Sequence, residues 1–214
     1  MRDTRLVVFT RPIGDPAAKS RLAAALGVSR ARILHDALVR HTVRTASECN
    51  AAEIDICLAC DSTDPGKITT TMKQSLPPSF TISVQSGADL GERMFNAATL
   101  ALRVRKRVVI MGTDCAVMRV GHIHDAVARL SDDTPASFIP AADGGYVLIA
   151  LSRCDRRLFQ DISWGSPTVM GETRAVLKKL GWRWTEMPAL WDIDTHHDYE
   201  RLVDEGLLEP LLAT

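Results

Sequence analysis

Three groups of side chains in this sequence could act together on a phosphorylated substrate. The first is Asp114, which follows the apolar run Val108-Val109-Ile110-Met111 and the breaker Gly112-Thr113. Such a run, bounded by breakers, reads as a strand buried on both faces. A carboxylate where it ends stands at the carboxyl edge of a parallel sheet, where open α/β folds bind ligands. Taken alone, an Asp after a strand is more often a turn or helix-cap residue than a ligand. A hard cation such as Mg²⁺ or Mn²⁺ takes one or two protein carboxylates and completes its shell with water and substrate phosphate. The second carboxylate is available from Asp143 or from Asp192-Ile193-Asp194. Asp143 precedes Gly144-Gly145, a pair that either lets backbone approach a ligand or forms a hairpin turn. Asp192 and Asp194 share a side if their segment is extended, while Asp194, Thr195 and Asp198 also fit a helix cap. The third group, Thr10, Arg11, Gly14, Lys19 and Arg21, follows the first strand. Cations there, beside helix N-terminal amides, suit a di- or triphosphate; the alternative is a solvated helix start.

Other chemistries lack their motifs. There is no G-x-G-x-x-G after the first strand. Gly14 with Lys19-Ser20 misses a Walker motif because Ala18 replaces the glycine before the lysine. Cys57-Leu-Ala-Cys60 has no second pair, and its members read as core residues. The five cysteines are odd in number and scattered, which argues against a disulfide framework. His122/His124 and His196/His197 lack the i, i+4 spacing of a shared helical metal site. Ser166 lacks a nucleophile-elbow context.

These residues need elements to hold them. Leu6–Thr10 reads as a strand, and a helical stripe then runs from Ser20 to Cys49, broken near Gly27 with Ser29 as the cap of its second part. Strands follow at Ile54–Cys60 and Thr81–Gln85, with a short helix around Ile68–Leu76 between them. A helix at Gly91–Leu102 precedes the Val108–Met111 strand, and another covers Val120–Leu130. Ser137–Pro140 and Tyr146–Leu151 are short strands. Helix Thr168–Leu180 stops at Gly181, strand Trp184–Met187 follows, and helix Asp198–Leu208 closes the chain. The alternation predicts one α/β domain over residues 1–214, with helix layers on a mainly parallel sheet.

Hydrophobic content of 46% and charged content of 24% are ordinary for a globular protein. Lys plus Arg and Asp plus Glu balance at 26 each, so no overall field recruits nucleic acid or an anionic membrane. No apolar stretch reaches spanning length and the first residues do not form a signal peptide, so a cytoplasmic location is expected. The tryptophans of Trp182–Trp191 are expected in the core. Oligomeric state is not legible.

Several segments in order resemble a known family. They are Lys19-Ser20-Arg21-Leu22, Gln85 with Asp89-Leu90-Gly91-Glu92-Arg93-Met94, Gly112-Thr113-Asp114-Cys115, Pro140 to Tyr146, and Asp192-Ile193-Asp194-Thr195. Their order and spacing resemble DUF2064, a family assigned as GT-A glycosyltransferases within the nucleotide-diphospho-sugar transferase superfamily. The resemblance runs from Leu6 to about Leu202. It implies a three-layer α/β/α fold with a mainly parallel mixed sheet of GT-A type. It also implies nucleotide or phosphate contacts from Thr10, Arg11, Lys19, Arg21, Gln85, Gly91 and Arg93, and an acceptor or sugar side at Asp143, Gly144 and Gly145. Asp114 and Asp194 become the implied ligands of Mg²⁺ or Mn²⁺, and Asp114, Lys19 and Asp143 the implied catalytic set. The sequence departs from the family pattern in a longer first loop between Pro12 and Lys19, in Ala116, and in Trp164-Gly165-Ser166.

The expected activity is metal-dependent transfer of a sugar from a nucleotide-diphosphate donor to a small acceptor. A nucleotidyltransferase joining a nucleoside triphosphate to a phosphorylated metabolite uses the same parts. A nucleotide-binding protein without catalysis is the third reading, motivated by the altered first loop.

Overall fold

The computed structural model describes residues 1–59, 66, 69–70, 72–73 and 76–213. The helix expected over 68–76 and the Cys60 end of the second strand fall partly outside them. The central strand β1 (Thr4–Thr10) is apolar on both sides: Leu6 and Val8 join one buried cluster, Val7 the other. β4 (Arg107–Met111) does the same, with Val109 and Met111 on one face and Val108 and Ile110 on the other. Two-sided burial requires helices on both faces, and each fully buried aliphatic side chain contributes about 1.5–3 kcal/mol.

The described residues form a seven-stranded sheet. The other strands are β2 (Glu53–Leu58), β3 (Thr81–Val84), β5 (Ala136–Pro140), β6 (Tyr146–Leu151) and β7 (Trp184–Glu186), in the order β3-β2-β1-β4-β6-β5-β7. β6 pairs antiparallel with both β4 and β5, while the remaining pairings are parallel. One face is covered by α2 (Val28–Glu48) and α4 (Val120–Ala128), the other by α3 (Leu90–Leu102) and α5 (Val169–Lys179). The expected α/β/α layering and mixed sheet are therefore present. A third cluster, holding Leu22, Leu38, Trp191 and Leu202, packs α1 (Ser20–Leu26), α6 (His196–Asp204) and α7 (Leu208–Leu212) around α2.

The chain runs outward from β1 through β2 to β3, then crosses back to β4 on the other side of β1. That reversal is the switch point where ligands bind in open α/β sheets. The loops after β1, β4, β5 and β7 all emerge at this edge.

Some boundaries differ from expectation. Gly27, at φ 80°, stands as N-cap of α2 with no side-chain cap, so Ser29 lies inside the helix instead of capping it. The closing helix is two helices, because left-handed Gly206 (φ 68°) ends α6 by bonding back to the Val203 carbonyl. β3 and β7 each stop one residue earlier than expected. Trp182 and Trp191 are buried, and Trp184 is partly so.

A carboxylate cluster at the switch point

Lys19 is the N-cap of α1 and adopts a left-handed backbone, φ 56° and ψ 44°. That conformation costs a non-glycine residue about 1–2 kcal/mol and persists only where contacts over-determine it. Those contacts are visible: Lys19 Nζ lies 2.7 Å from Asp114 Oδ1 and also donates to the Ile193 carbonyl. The Lys19 side chain is 4% exposed, whereas that of Asp114 is 46% exposed. Asp114 is thus held from one side and open on the other.

The segment after β7 crosses this edge. The Leu190 amide donates to the Pro140 carbonyl, and the Leu190 carbonyl accepts from Ala142, fixing the segment along the β5–β6 hairpin. The Ile193 amide then donates to the Asp114 carbonyl at 2.9 Å. Asp192 is held between those two anchors. Burial and, next, the charge of Asp143 push its carboxyl up to about 6; Asp114 adds to the rise and Lys19 opposes it. Asp114, Asp143 and Asp192 therefore form one electrostatic cluster.

Asp143 Oδ1 accepts from the Gly145 amide at 2.9 Å, so the turn itself orients the carboxylate. Gly144 sits at φ 97°, and a Cβ there would lie 2.1 Å from the Pro167 carbonyl oxygen. The glycine lets the hairpin touch the 164–168 segment, and the Met170 amide seals that contact on the Gly144 carbonyl. Thr10 and Thr113 join the ends of β1 and β4 through a buried 3.3 Å hydroxyl pair.

The other expected site residues divide. Arg21 pairs with Asp194 at 2.6 Å, so that carboxylate is already neutralised by an exposed guanidinium. The Asp194 and Thr195 amides both donate to Asp198, and Thr195 caps α6, so this stretch realises the capping pattern. Arg11 pairs with Asp15 at 3.0 Å. Gln85 donates to the Cys57 carbonyl and Arg93 to that of Gly87; both line a separate cavity of about 340 Å³ with Asp55 and Arg103. At Gly91 a Cβ would lie 2.2 Å from the Phe159 carbonyl oxygen, so this glycine serves helix packing. Cys115 is buried, and burial pushes its thiol up to about 12, which excludes a thiolate nucleophile at neutral pH.

Beside the cluster opens a cavity of about 200 Å³ whose lining includes Gly112, Asp143, Tyr146 and Trp164. Its aromatic wall was not foreseen. Tyr146 and Trp164 meet edge to face at 6.3 Å, though they lie eighteen positions apart in sequence and on different segments. Only the aromatics flanking Gly144-Gly145 and Gly165 hinted at it.

Among the described residues no three His, Cys, Asp or Glu side chains converge closely enough to cage an ion by themselves. The cluster nonetheless fits a hard divalent cation that draws its other ligands from phosphate and water. Asp114 pairs with the buried Lys19 ammonium, and burial, followed by the charges of Asp143 and Asp114, raises Asp192. No helix among the described residues is long and apolar enough to cross a membrane.

The family model described as "Uncharacterized protein conserved in bacteria (DUF2064)" matches residues 42–166. A crystal structure from Desulfovibrio desulfuricans G20, assigned as a nucleotide-diphospho-sugar transferase, is 26% identical at a TM-score of 0.87. The match covers 100% of this chain and 98% of that one. A nucleotidyl transferase from Methanothermobacter thermautotroptrophicus shares the fold at 14% identity and TM-score 0.62, covering 96% and 98%. So does a CMP:2-keto-3-deoxy-manno-octonic acid synthetase complexed with CTP, at 11% and 0.56, covering 96% and 99%. No curated protein sequence matches the chain.

Proposed function

The chain belongs to the DUF2064 family, and we propose that it is a metal-dependent transferase that moves a sugar from a nucleotide-diphosphate donor to a small acceptor. The observation that carries this reading is the Asp114–Asp143–Asp192 cluster at the switch point, anchored by buried Lys19. The 26% identity to the D. desulfuricans protein supports the nucleotide-sugar donor.

Asp114, open on one side, would hold Mg²⁺ or Mn²⁺, with Asp192 as the second carboxylate in preference to Asp194, which Arg21 occupies. When bound, the cation supplies Lewis-acid stabilisation of charge on the diphosphate. Lys19 fixes the Asp114 carboxylate and places positive charge beside the donor phosphates. Asp143 Oδ2 has no protein partner among the described hydrogen bonds, which leaves an acceptor atom for the incoming hydroxyl. In the transfer, the acceptor oxygen bonds the anomeric carbon and that carbon's bond to the diphosphate oxygen breaks. The electron pair leaves with the nucleoside diphosphate, and the hydroxyl proton passes to Asp143.

A second reading, nucleotidyl transfer, draws on the fold shared with the CTP-bound synthetase and on the cation at the start of α1. Incubation with nucleotide sugars or nucleoside triphosphates plus Mn²⁺ separates the two. Release of nucleoside diphosphate supports sugar transfer, and release of pyrophosphate supports the second reading. Binding without any turnover, unaffected by Asp114→Ala, would leave a non-catalytic nucleotide binder.

A further inference from the structure

We propose that the cavity beside the carboxylate cluster receives an apolar group, one ring or a short branched chain, and that the acceptor carries this group next to its reacting hydroxyl. The acceptor role rests on the transferase reading above; the apolar preference rests on the cavity itself.

The wall comes from four separate places in the chain: Phe9 at the end of β1, Leu90 and Met94 on α3, Tyr146 at the start of β6, and Trp164 before α5. The polar groups that reach it are mostly engaged. Ser166 Oγ is 2.7 Å from Thr168 Oγ1, and the Tyr146 hydroxyl points at the Met94 sulfur at 3.8 Å. Packing around that phenol holds its pKa well above the ordinary tyrosine value, so the group stays a neutral donor. Away from Asp143, a hydroxyl-rich ligand entering here would leave water for a wall that returns few of its hydrogen bonds. An apolar one loses nothing and gains edge and face contact with aromatic rings.

Size and rigidity agree. A dry engineered cavity of about 150 Å³ takes up benzene, and this one measures about 200 Å³, so a six-membered ring with a short substituent fits. The wall is preorganised by two close approaches. Gly91 brings α3 against Trp164, where a Cβ would lie 2.5 Å from Nε1, and Gly144 brings the Asp143 hairpin against Pro167. The same hairpin thus carries both the cavity wall and the carboxylate at its mouth, so a bound ring places its substituent beside Asp143.

Saturation-transfer NMR with benzyl alcohol and with methyl α-D-glucopyranoside tests this, with Mn²⁺-free protein for the NMR and nucleotide binding measured separately on the same preparation after Mn²⁺ is added. Leu90 is 41% exposed, so Leu90→Trp fills the mouth without disturbing the core. The expected result is saturation of benzyl alcohol but not of the glucoside, cut at least about fivefold by Leu90→Trp at unchanged melting temperature. If Leu90→Trp does not fold, Met94→Ala serves: enlarging the cavity shifts preference toward larger ring alcohols. Saturation of the glucoside as strong as that of benzyl alcohol, or benzyl alcohol saturation indifferent to both variants, overturns the proposal. Nucleotide binding without benzyl alcohol binding overturns the apolar preference alone. Benzyl alcohol binding without any nucleotide binding overturns the acceptor role and the transferase reading together.

Discussion

Lys19 Nζ and Asp114 Oδ1 lie 2.7 Å apart, tying the left-handed start of α1 to the end of β4. The ammonium is buried and the carboxylate half-exposed, so the pair couples stability to the openness of the site. Removing Asp114 alone strands a buried cation, whereas removing both partners does not. Asp114→Ala is expected to destabilise by about 1–3 kcal/mol, discounted because Asp114 keeps solvent contact. Adding Lys19→Met should recover about 1 kcal/mol of that loss. Urea denaturation of the two single variants and the double gives the coupling; strictly additive losses would mean the pair carries no energy.

The raised carboxyl of Asp192 makes a pH prediction. Its folded-state pKa, about 6, exceeds the ordinary aspartate value of 3.8, so the folded protein holds this proton more tightly than the unfolded chain. Its contribution is therefore harmless below about pH 4, becomes unfavourable as pH rises toward 6, and is fully unfavourable above it. Asp192→Asn in the metal-free protein should stabilise by about 1–3 kcal/mol at pH 7.5, after allowance for partial exposure, and by nearly nothing at pH 4. Equal effects at both pH values would show that Asp192 is not strained by its neighbours.

Two glycines should behave oppositely when replaced by alanine. Gly144 combines positive φ with a Cβ position 2.1 Å from the Pro167 carbonyl oxygen. Gly144→Ala is expected to cost about 2–4 kcal/mol and to loosen the aromatic wall. Gly121, in the first turn of α4, has open space around its Cβ position. Gly121→Ala should gain about 0.5–1 kcal/mol from helix propensity. Melting temperatures of the two variants decide; similar shifts in the same direction would refute the packing argument at Gly144.

Much of the fold was legible because its signals are local. The β4 run is apolar on both faces, and Gly181 follows α5 as its punctuation predicts. The strand ends placed Asp114 and the 141–145 turn at one edge, and the family resemblance proved right. What stayed hidden depends on contacts far apart in sequence. That Asp194 is paired with Arg21, 173 positions away, cannot be read from the spacing of Asp192-Ile193-Asp194. Glycine's role at Gly91 is decided by Phe159 and Trp164, which no spacing rule brings near. The antiparallel insertion of β6 between β4 and β5 likewise follows from how the hairpin docks, not from its own residues. Ser29 lies inside α2 because a serine near a helix start caps it only where the backbone turns, and Gly27 turns first.

The capping network of α6 ties fold to site. Asp198 accepts from the Asp194 and Thr195 amides and from the Thr195 hydroxyl, holding the segment that carries Asp192. Asp198→Ala should cost about 1–2 kcal/mol of stability and weaken nucleotide binding through misplacement of Asp192. Thermal melts paired with nucleotide titration check this; a stability loss with unchanged affinity would separate the cap from the site.

The Asp114 cluster is proposed to bind an activated nucleotide through a divalent cation. Calorimetric titration of nucleotide sugars and nucleoside triphosphates, with and without Mn²⁺, into the native chain and Asp114→Asn tests it directly. At least one nucleotide is expected to bind only with Mn²⁺, and Asp114→Asn to weaken it at least about tenfold; no binding to any of them, or binding indifferent to both Mn²⁺ and Asp114, would rule this site out.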